Sequence, residues 1–221
     1  MKNFFSAFLI LFSTITFAQD TKFGITVGAT NYVTDTNLLF SKSAIGFTIG
    51  GMMKTEFNDR SQLLLELNYN SHFVNFVGRK NELATPEDIK FKLEEISIPV
   101  SYNYSFIVLD EFRFGINAGP SFHFIHEYKI VDESKEQYLL DPLQAQANDL
   151  LFDTRNDEMS FNIFLALGLS IQYKDSLMAN LKYYYGITDP YRRAPIYSTV
   201  LDISGKDSFL AFSVTYFFLT R

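Results

Sequence analysis

Ser121, His123 and Glu127 are a nucleophile, a base and an acid at even spacing, so they share one face wherever the chain is extended. That is the material of a hydrolase. Residues at i and i+2 lie roughly 6–7 Å apart along a strand, however, and this predicts no direct Ser–His bond. Six charged residues stand at positions otherwise occupied by small polar ones: Lys54, Glu56, Glu66, Glu95, Arg113 and Lys182. Charges withdrawn from water pair with one another, so these are expected to form mutually neutralising groups. The other reading of the same residues is a thin path for ions or protons. The chain has three histidines, and His72 and His126 are placed on opposite faces with no metal-ligand spacing around them. No metal, cofactor or catalytic residue is expected.

The elements that must position these groups alternate with a period of two. In Lys22 to Val33, Phe23, Ile25, Val27 and Ala29 share one face, and Gly24, Thr26, Gly28 and Thr30 the other. The pattern recurs seven times. Leu63, Leu65, Leu67 and Tyr69 oppose Gln62, Glu66, Asn68 and Asn70, and Ile96, Ile98, Val100 and Tyr102 oppose Glu95, Ser97 and Ser101. The last strand runs from Ser208 to Phe218. The connections alternate too. Phe57–Ser61, Phe106–Glu111 and Lys174–Ser176 are short, while Thr34–Lys42, Val77–Phe91, Tyr128–Glu158 and Thr188–Asp207 are long.

A soluble sheet hides its apolar face and wets the polar one. Here the polar faces are rich in Gly, Ser, Thr and Asn, which suits a crowded interior. The apolar faces carry rows of Leu, Ile and Phe with Tyr near the ends, as lipid-facing bands do. The expected fold is all-β: an eight-stranded antiparallel up-and-down transmembrane β-barrel in a bacterial outer membrane, with both termini at the short-turn, periplasmic end. An interior of eight strands is filled by side chains, so no wide pore follows.

The N-terminus supports export. Lys2 precedes an apolar run to Phe17, and Thr16-Phe17-Ala18 offers a cleavage site, which gives a signal peptide at 1–18 and a barrel domain at 19–221. No cysteine is present, in keeping with passage through an oxidising compartment without disulfides. The formal charge is −6, which argues against nucleic acid as a partner. Much of the acid lies in Tyr128–Glu158, where Asp132, Glu133, Glu136, Asp141, Asp149, Asp153, Asp157 and Glu158 outnumber Lys129, Lys135 and Arg155. That segment reads as a solvated loop, or as an acidic docking surface for a protein or for divalent ions on lipid phosphates.

Three stretches carry a family resemblance: Glu95-Ile96-Ser97-Ile98-Pro99-Val100-Ser101-Tyr102, Gly115-Ile116-Asn117-Ala118-Gly119-Pro120-Ser121, and Tyr183-Tyr184-Tyr185-Gly186-Ile187. With the aromatic end Tyr216-Phe217-Phe218, the chain resembles the small outer-membrane barrels of Bacteroidota known as PorT-like or porin-family proteins. The resemblance implies a membrane barrel in contact with outer-membrane lipid, and some relatives serve type IX secretion. The role expected is a structural or interaction barrel that presents its outer loops, as an accessory of a secretion or surface complex. A narrow channel for small solutes comes second, and a lipid-modifying hydrolase third.

Three local expectations follow. Asp141 as N-cap and Pro142 at the first position predict a helix over Pro142–Phe152, folded across the barrel mouth. Pro99 and Pro120 lack an N–H at similar heights on neighbouring strands, which predicts a broken ladder. Glu66 and Lys182, each about seven residues above its own periplasmic turn, are expected to meet across the interior, with Arg113 and Glu56 entering lower down.

Overall fold

The alternating segments pair edge to edge until the first meets the last. A computed structural model describes residues 20–142, 145–150, 161–191 and 204–218. The expected signal segment 1–18 lies outside these. The strands are β1 (Asp20–Thr36), β2 (Ser41–Asn58), β3 (Ser61–Arg79), β4 (Glu87–Val108), β5 (Phe112–Ile130), a two-residue β6 (Leu139–Leu140), β7 (Phe161–Tyr173), β8 (Leu177–Gly186) and β9 (Gly205–Phe217). All pairings are antiparallel. β1 to β5 and β7 to β9 each pair with the next, and β1 closes the ring on β9. Eight strands therefore form the barrel, and β6 adds to the upper end of β3 through Gly78 and Arg79.

The turns at one end are tight. Asn58 accepts the backbone N–H groups of Arg60 and Ser61 on its side chain, each at 2.9 Å, which is the Asn-built turn that local backbone capture favours. Both described chain ends lie at this same end.

Strands β2 to β5 run to 18, 19, 22 and 19 residues. About 9–11 residues cross a membrane, so these strands stand well above it. Ladder thus occupies sequence that alternation assigned to loop. β3 continues to Arg79 and β4 begins at Glu87, inside the expected loop Val77–Phe91. Tyr128 to Ile130 belong to β5.

The reason is an inversion of phase. In β4 the odd residues point inwards from Ile89 to Ser105. Below Glu94 in height these are Glu95, Ser97, Ser101 and Asn103, with apolar Ile96, Ile98, Val100 and Tyr102 outside. Above it they are Ile89, Phe91 and Leu93, with Asp88, Lys90 and Lys92 outside. The lower half is a membrane barrel with a polar interior. The upper half is greasy inside, as a soluble barrel is, and on β4 it is charged outside. The change of phase at Glu94 and Glu95 is where the outward face of β4 stops being apolar.

The upper interior is filled by Tyr32, Phe76, Phe91, Tyr128, Phe164, Tyr184 and Phe209, all buried. Tyr184 and Phe209 stack at 4.2 Å with an interplanar angle of 6°. A smaller group, Met52, Leu64, Met178 and Phe217, fills the periplasmic end.

The prolines interrupt pairing without shifting it. Between β4 and β5 the register holds from Pro99↔Ser121 to Tyr102↔Ala118, but Val100 and Ser101 have no ladder partners there. On its other side, β4 loses pairing with β3 at Ile98 and Pro99. The bulges lie elsewhere, at Glu94/Glu95 and Ser105/Ile107.

The expected helix over Pro142–Phe152 does not begin where its cap was placed. Pro142 bridges to Leu39, and a 3-10 turn forms at Ala147–Leu150; residues 143–144 and 151–152 lie outside the described residues. Arg79 takes the would-be capping carboxylate, with Nε 2.9 and 3.0 Å from the two oxygens of Asp141. The Asp141 N–H donates to Val77 O at 2.9 Å, which ties the segment to β3. Leu140 and Ala147 are nevertheless buried over the barrel mouth.

Candidate functional site

Inward positions of the lower half hold three polar layers. In the lowest, Lys54 Nζ lies 2.8 Å from Glu56, and Arg113 reaches the same carboxylate at 3.3 Å. Lys22 and Asp175 meet beside them at 3.1 Å. In the middle layer Lys182 of β8 donates to Glu66 of β3 at 2.5 Å. Asn68 donates to the other Glu66 oxygen at 3.0 Å. Lys182 and Glu66 are 2 % and 3 % exposed. Five of the six expected lumen charges thus fall into two separate groups, Lys54–Glu56–Arg113 and Glu66–Lys182.

Glycine makes the middle layer possible. A Cβ on Gly168 would sit 2.6 Å from Leu181 O and 2.7 Å from Lys182 Cγ. The lysine stem crosses over this bare backbone on its way to Glu66.

Glu95 belongs to a third layer that pairing rules did not anticipate. His72 Nε2 is 2.9 Å and His123 Nδ1 2.6 Å from the same Glu95 oxygen, and Asn70 donates to it at 3.1 Å. Thr30 lies 2.9 Å from His72 Nδ1, and Ser121 2.7 Å from His123 Nε2. One tautomer assignment fits the five contacts, while the second Glu95 oxygen is buried with no hydrogen-bond partner among the described residues. In it each imidazole donates one N–H to the carboxylate and meets a hydroxyl at its other nitrogen. The result is a chain, Thr30–His72–Glu95–His123–Ser121, across β1, β3, β4 and β5.

The direct Ser121–His123 bond overturns the expectation drawn from Cα spacing. Side chains on one face lean along the strand, and that lean closes a gap which backbone spacing leaves open. Ser121, His123 and Glu95 stand in the order of an activated nucleophile, its base and the base's orienter. All three have no exposed surface. Phe164 and Phe209 cover His123, with ring centroids at 4.4 and 5.7 Å. The cavity between this layer and the Glu66–Lys182 pair has a volume of about 20 Å³, lined by Thr26, Thr48, Asn68, Ser97 and Ser213 among others. That is room for one water, not for an ester. The side chains of His126 and Glu127 lie outside the described residues.

At the mouth, Asp207 accepts Thr34 at 2.9 Å and Tyr191 at 2.7 Å, and Tyr128 lies 2.9 Å from Tyr191. Above the rim, Lys135 donates to Glu87 at 2.6 Å, and that hydrogen bond raises the lysine above its ordinary pKa. Among the described residues no three His, Asp or Glu side chains are grouped to hold a metal ion. A cheap signal would have found the Glu95 layer. It lies where apolar residues change face, so its imidazoles end the polar interior.

Fold and lumen together define a closed-ring β-barrel built to cross an outer membrane. The family model for the outer membrane protein beta-barrel domain matches residues 15–192, and the chain belongs to that family. Its place is the cell outer membrane. Among solved structures it is similar to the neisserial surface protein A, at 14 % identity over 90 % of this chain and 99 % of that one, with a TM-score of 0.46. It is similar to the outer membrane protein OprG of Pseudomonas aeruginosa, at 12 % identity over 91 % and 98 %, with a TM-score of 0.45. The attachment invasion locus protein Ail of Yersinia pestis gives 12 % identity over 90 % and 99 %, with a TM-score of 0.42. No curated protein matches the sequence.

Proposed function

We propose that this barrel is a non-conducting outer-membrane scaffold that presents its extracellular segments to a partner, as an accessory of a secretion or surface complex of the PorT-like kind. The observation that carries this reading is the filled interior. Three hydrogen-bonded polar layers cross it, and a buried aromatic plug lies above them. Ions crossing such a lumen would have to break pairs already formed in a medium of low dielectric constant. The walls standing above the membrane form a rigid platform. On it, the acidic segment 128–158 would meet a partner of opposite charge or bind divalent ions.

No enzymatic role is assigned to the Ser121–His123–Glu95 chain. Its members orient one another and close the upper lumen, and the hydroxyls serve as hydrogen-bond ends.

The test is single-channel recording of the purified barrel in planar bilayers, with co-purification from the native membrane in parallel. The expected result is a silent bilayer together with a reproducible protein partner. Stepwise conductance from the native barrel would overturn the scaffold reading in favour of a narrow channel.

A further inference from the structure

The outward side chains of β4 and β5 change from apolar to charged within one row. Tyr69, Ile96 and Phe124 lie side by side on β3, β4 and β5 and form the last row that is apolar on all three strands. Two rows higher on the same wall, Phe73, Lys92 and Lys129 are neighbours, and above them Lys42, Asn75 and Lys90. Four lysines thus stand on three strands directly above the lipid-facing band. On the opposite wall, β8, β9 and β1 offer Tyr185, Lys206 and Asp35 at the corresponding outward positions.

The four ammonium groups are held in different ways. Lys92 donates to Glu94 at 2.6 Å, and Lys129 stands 3.9 Å from the same carboxylate. Tyr69 also donates to Glu94. Lys42 donates to Asp88 at 2.5 Å. Lys90 lies 4.1 Å above the ring of Phe73, on an apolar surface rather than on an acid. An ammonium has three N–H donors, so one carboxylate contact leaves two for another anion. In this stretch the four lysines stand against the acids Asp88, Glu94 and Glu127, while Glu87 is taken by Lys135. The acids and the aromatic ring hold the ammonium groups in two adjoining rows on this wall.

We propose that this patch binds the phosphate groups of lipid A in the outer leaflet. Height decides the ligand. These lysines begin where the acyl-chain band ends, so the anion that meets them belongs to a molecule whose tails lie against Ile96 and Phe124. A phosphorylated glycolipid fits that description; a soluble anion or an acidic protein has no reason to sit against the apolar row. Lysine near an anionic membrane surface contributes on the order of 1 kcal/mol per residue, so three lysines amount to a preference of tenfold or more. The proposal is independent of the scaffold reading, because it concerns the wall rather than the lumen or the loops.

The test places the purified barrel in phosphatidylcholine nanodiscs that contain bis-phosphorylated lipid A, dephosphorylated lipid A or phosphatidylglycerol. The lipid retained after mild delipidation is read by native mass spectrometry. The expected result is retention of bis-phosphorylated lipid A at least about tenfold above the dephosphorylated form, and above phosphatidylglycerol, which offers one phosphate to the same lysines. The Lys90→Gln, Lys92→Gln, Lys129→Gln triple variant should lose that preference, and the corresponding triple Arg variant should keep it. Equal retention of the dephosphorylated form would reduce the contact to acyl chains and overturn the proposal. Equal retention of phosphatidylglycerol, or an unchanged Gln variant, would overturn it as well.

Discussion

Removing Glu66 and Lys182 singly and together tests whether the middle layer acts as one unit. Both are all but fully buried, and their polar atoms are 2.5 Å apart. At an effective dielectric constant near 20, unit charges about 4 Å apart attract by about 4 kcal/mol. Desolvation takes back several kcal/mol per ion, so the intact pair adds little net stability. A lone partner is a different matter. Breaking a buried pair costs about 3–5 kcal/mol where nothing compensates. Here Asn68 still donates to Glu66, and the adjoining cavity has room for a water. About 2–3 kcal/mol is therefore expected for Glu66→Gln or Lys182→Met alone. The double variant should cost no more than the worse single one, which puts the coupling at about 2–3 kcal/mol. Urea unfolding of the refolded barrel in lipid vesicles, under conditions where unfolding reverses, measures all four corners of the cycle. Lys182→Met combined with Glu56→Gln is the control, since Glu56 belongs to the Lys54–Arg113 group; those two should add to within about 0.5 kcal/mol. If Glu66 and Lys182 add as simply as the control pair, the reasoning about shared desolvation is wrong.

Ser121→Ala leaves a buried imidazole nitrogen without its hydroxyl and should destabilise the barrel by about 1–3 kcal/mol in the same assay, while the lipid profile of the outer membrane stays as it was; an altered profile would mean that the Ser121–His123–Glu95 chain does chemistry after all. Gly168→Ala drives a methyl group into Leu181 O and the Lys182 stem, and about 1–3 kcal/mol of overpacking is expected, with a correspondingly lower urea midpoint; an unchanged midpoint would show that the lysine does not need the bare backbone it crosses.

Much of this protein is decided by residue type and spacing. Alternation alone separates the lipid-facing row of β4, Ile96, Ile98, Val100 and Tyr102, from its inward row, because side chains in a strand change sides at every residue. Alternating connection lengths place both ends at the tight-turn side, and the even strand number lets the sheet close. What alternation cannot supply is height. A closed barrel staggers its strands, and the bulge at Glu94/Glu95 shifts β5 by one residue, so which inward residues share a layer depends on the summed register of the whole ring. Glu66 and Lys182 could be paired by counting from the turns. The approach of Glu95 to His72 and His123 could not, because it depends on the side-chain lean and bulge that only the paired strands display. The same limit hid the upper barrel. Val77 to Phe91 reads as loop when apolar residues are expected outside, whereas in the structure Phe76, Ile89 and Phe91 turn inwards there. Sequence determines that the faces differ; the tertiary structure decides where lipid gives way to water, and with it which face must be apolar.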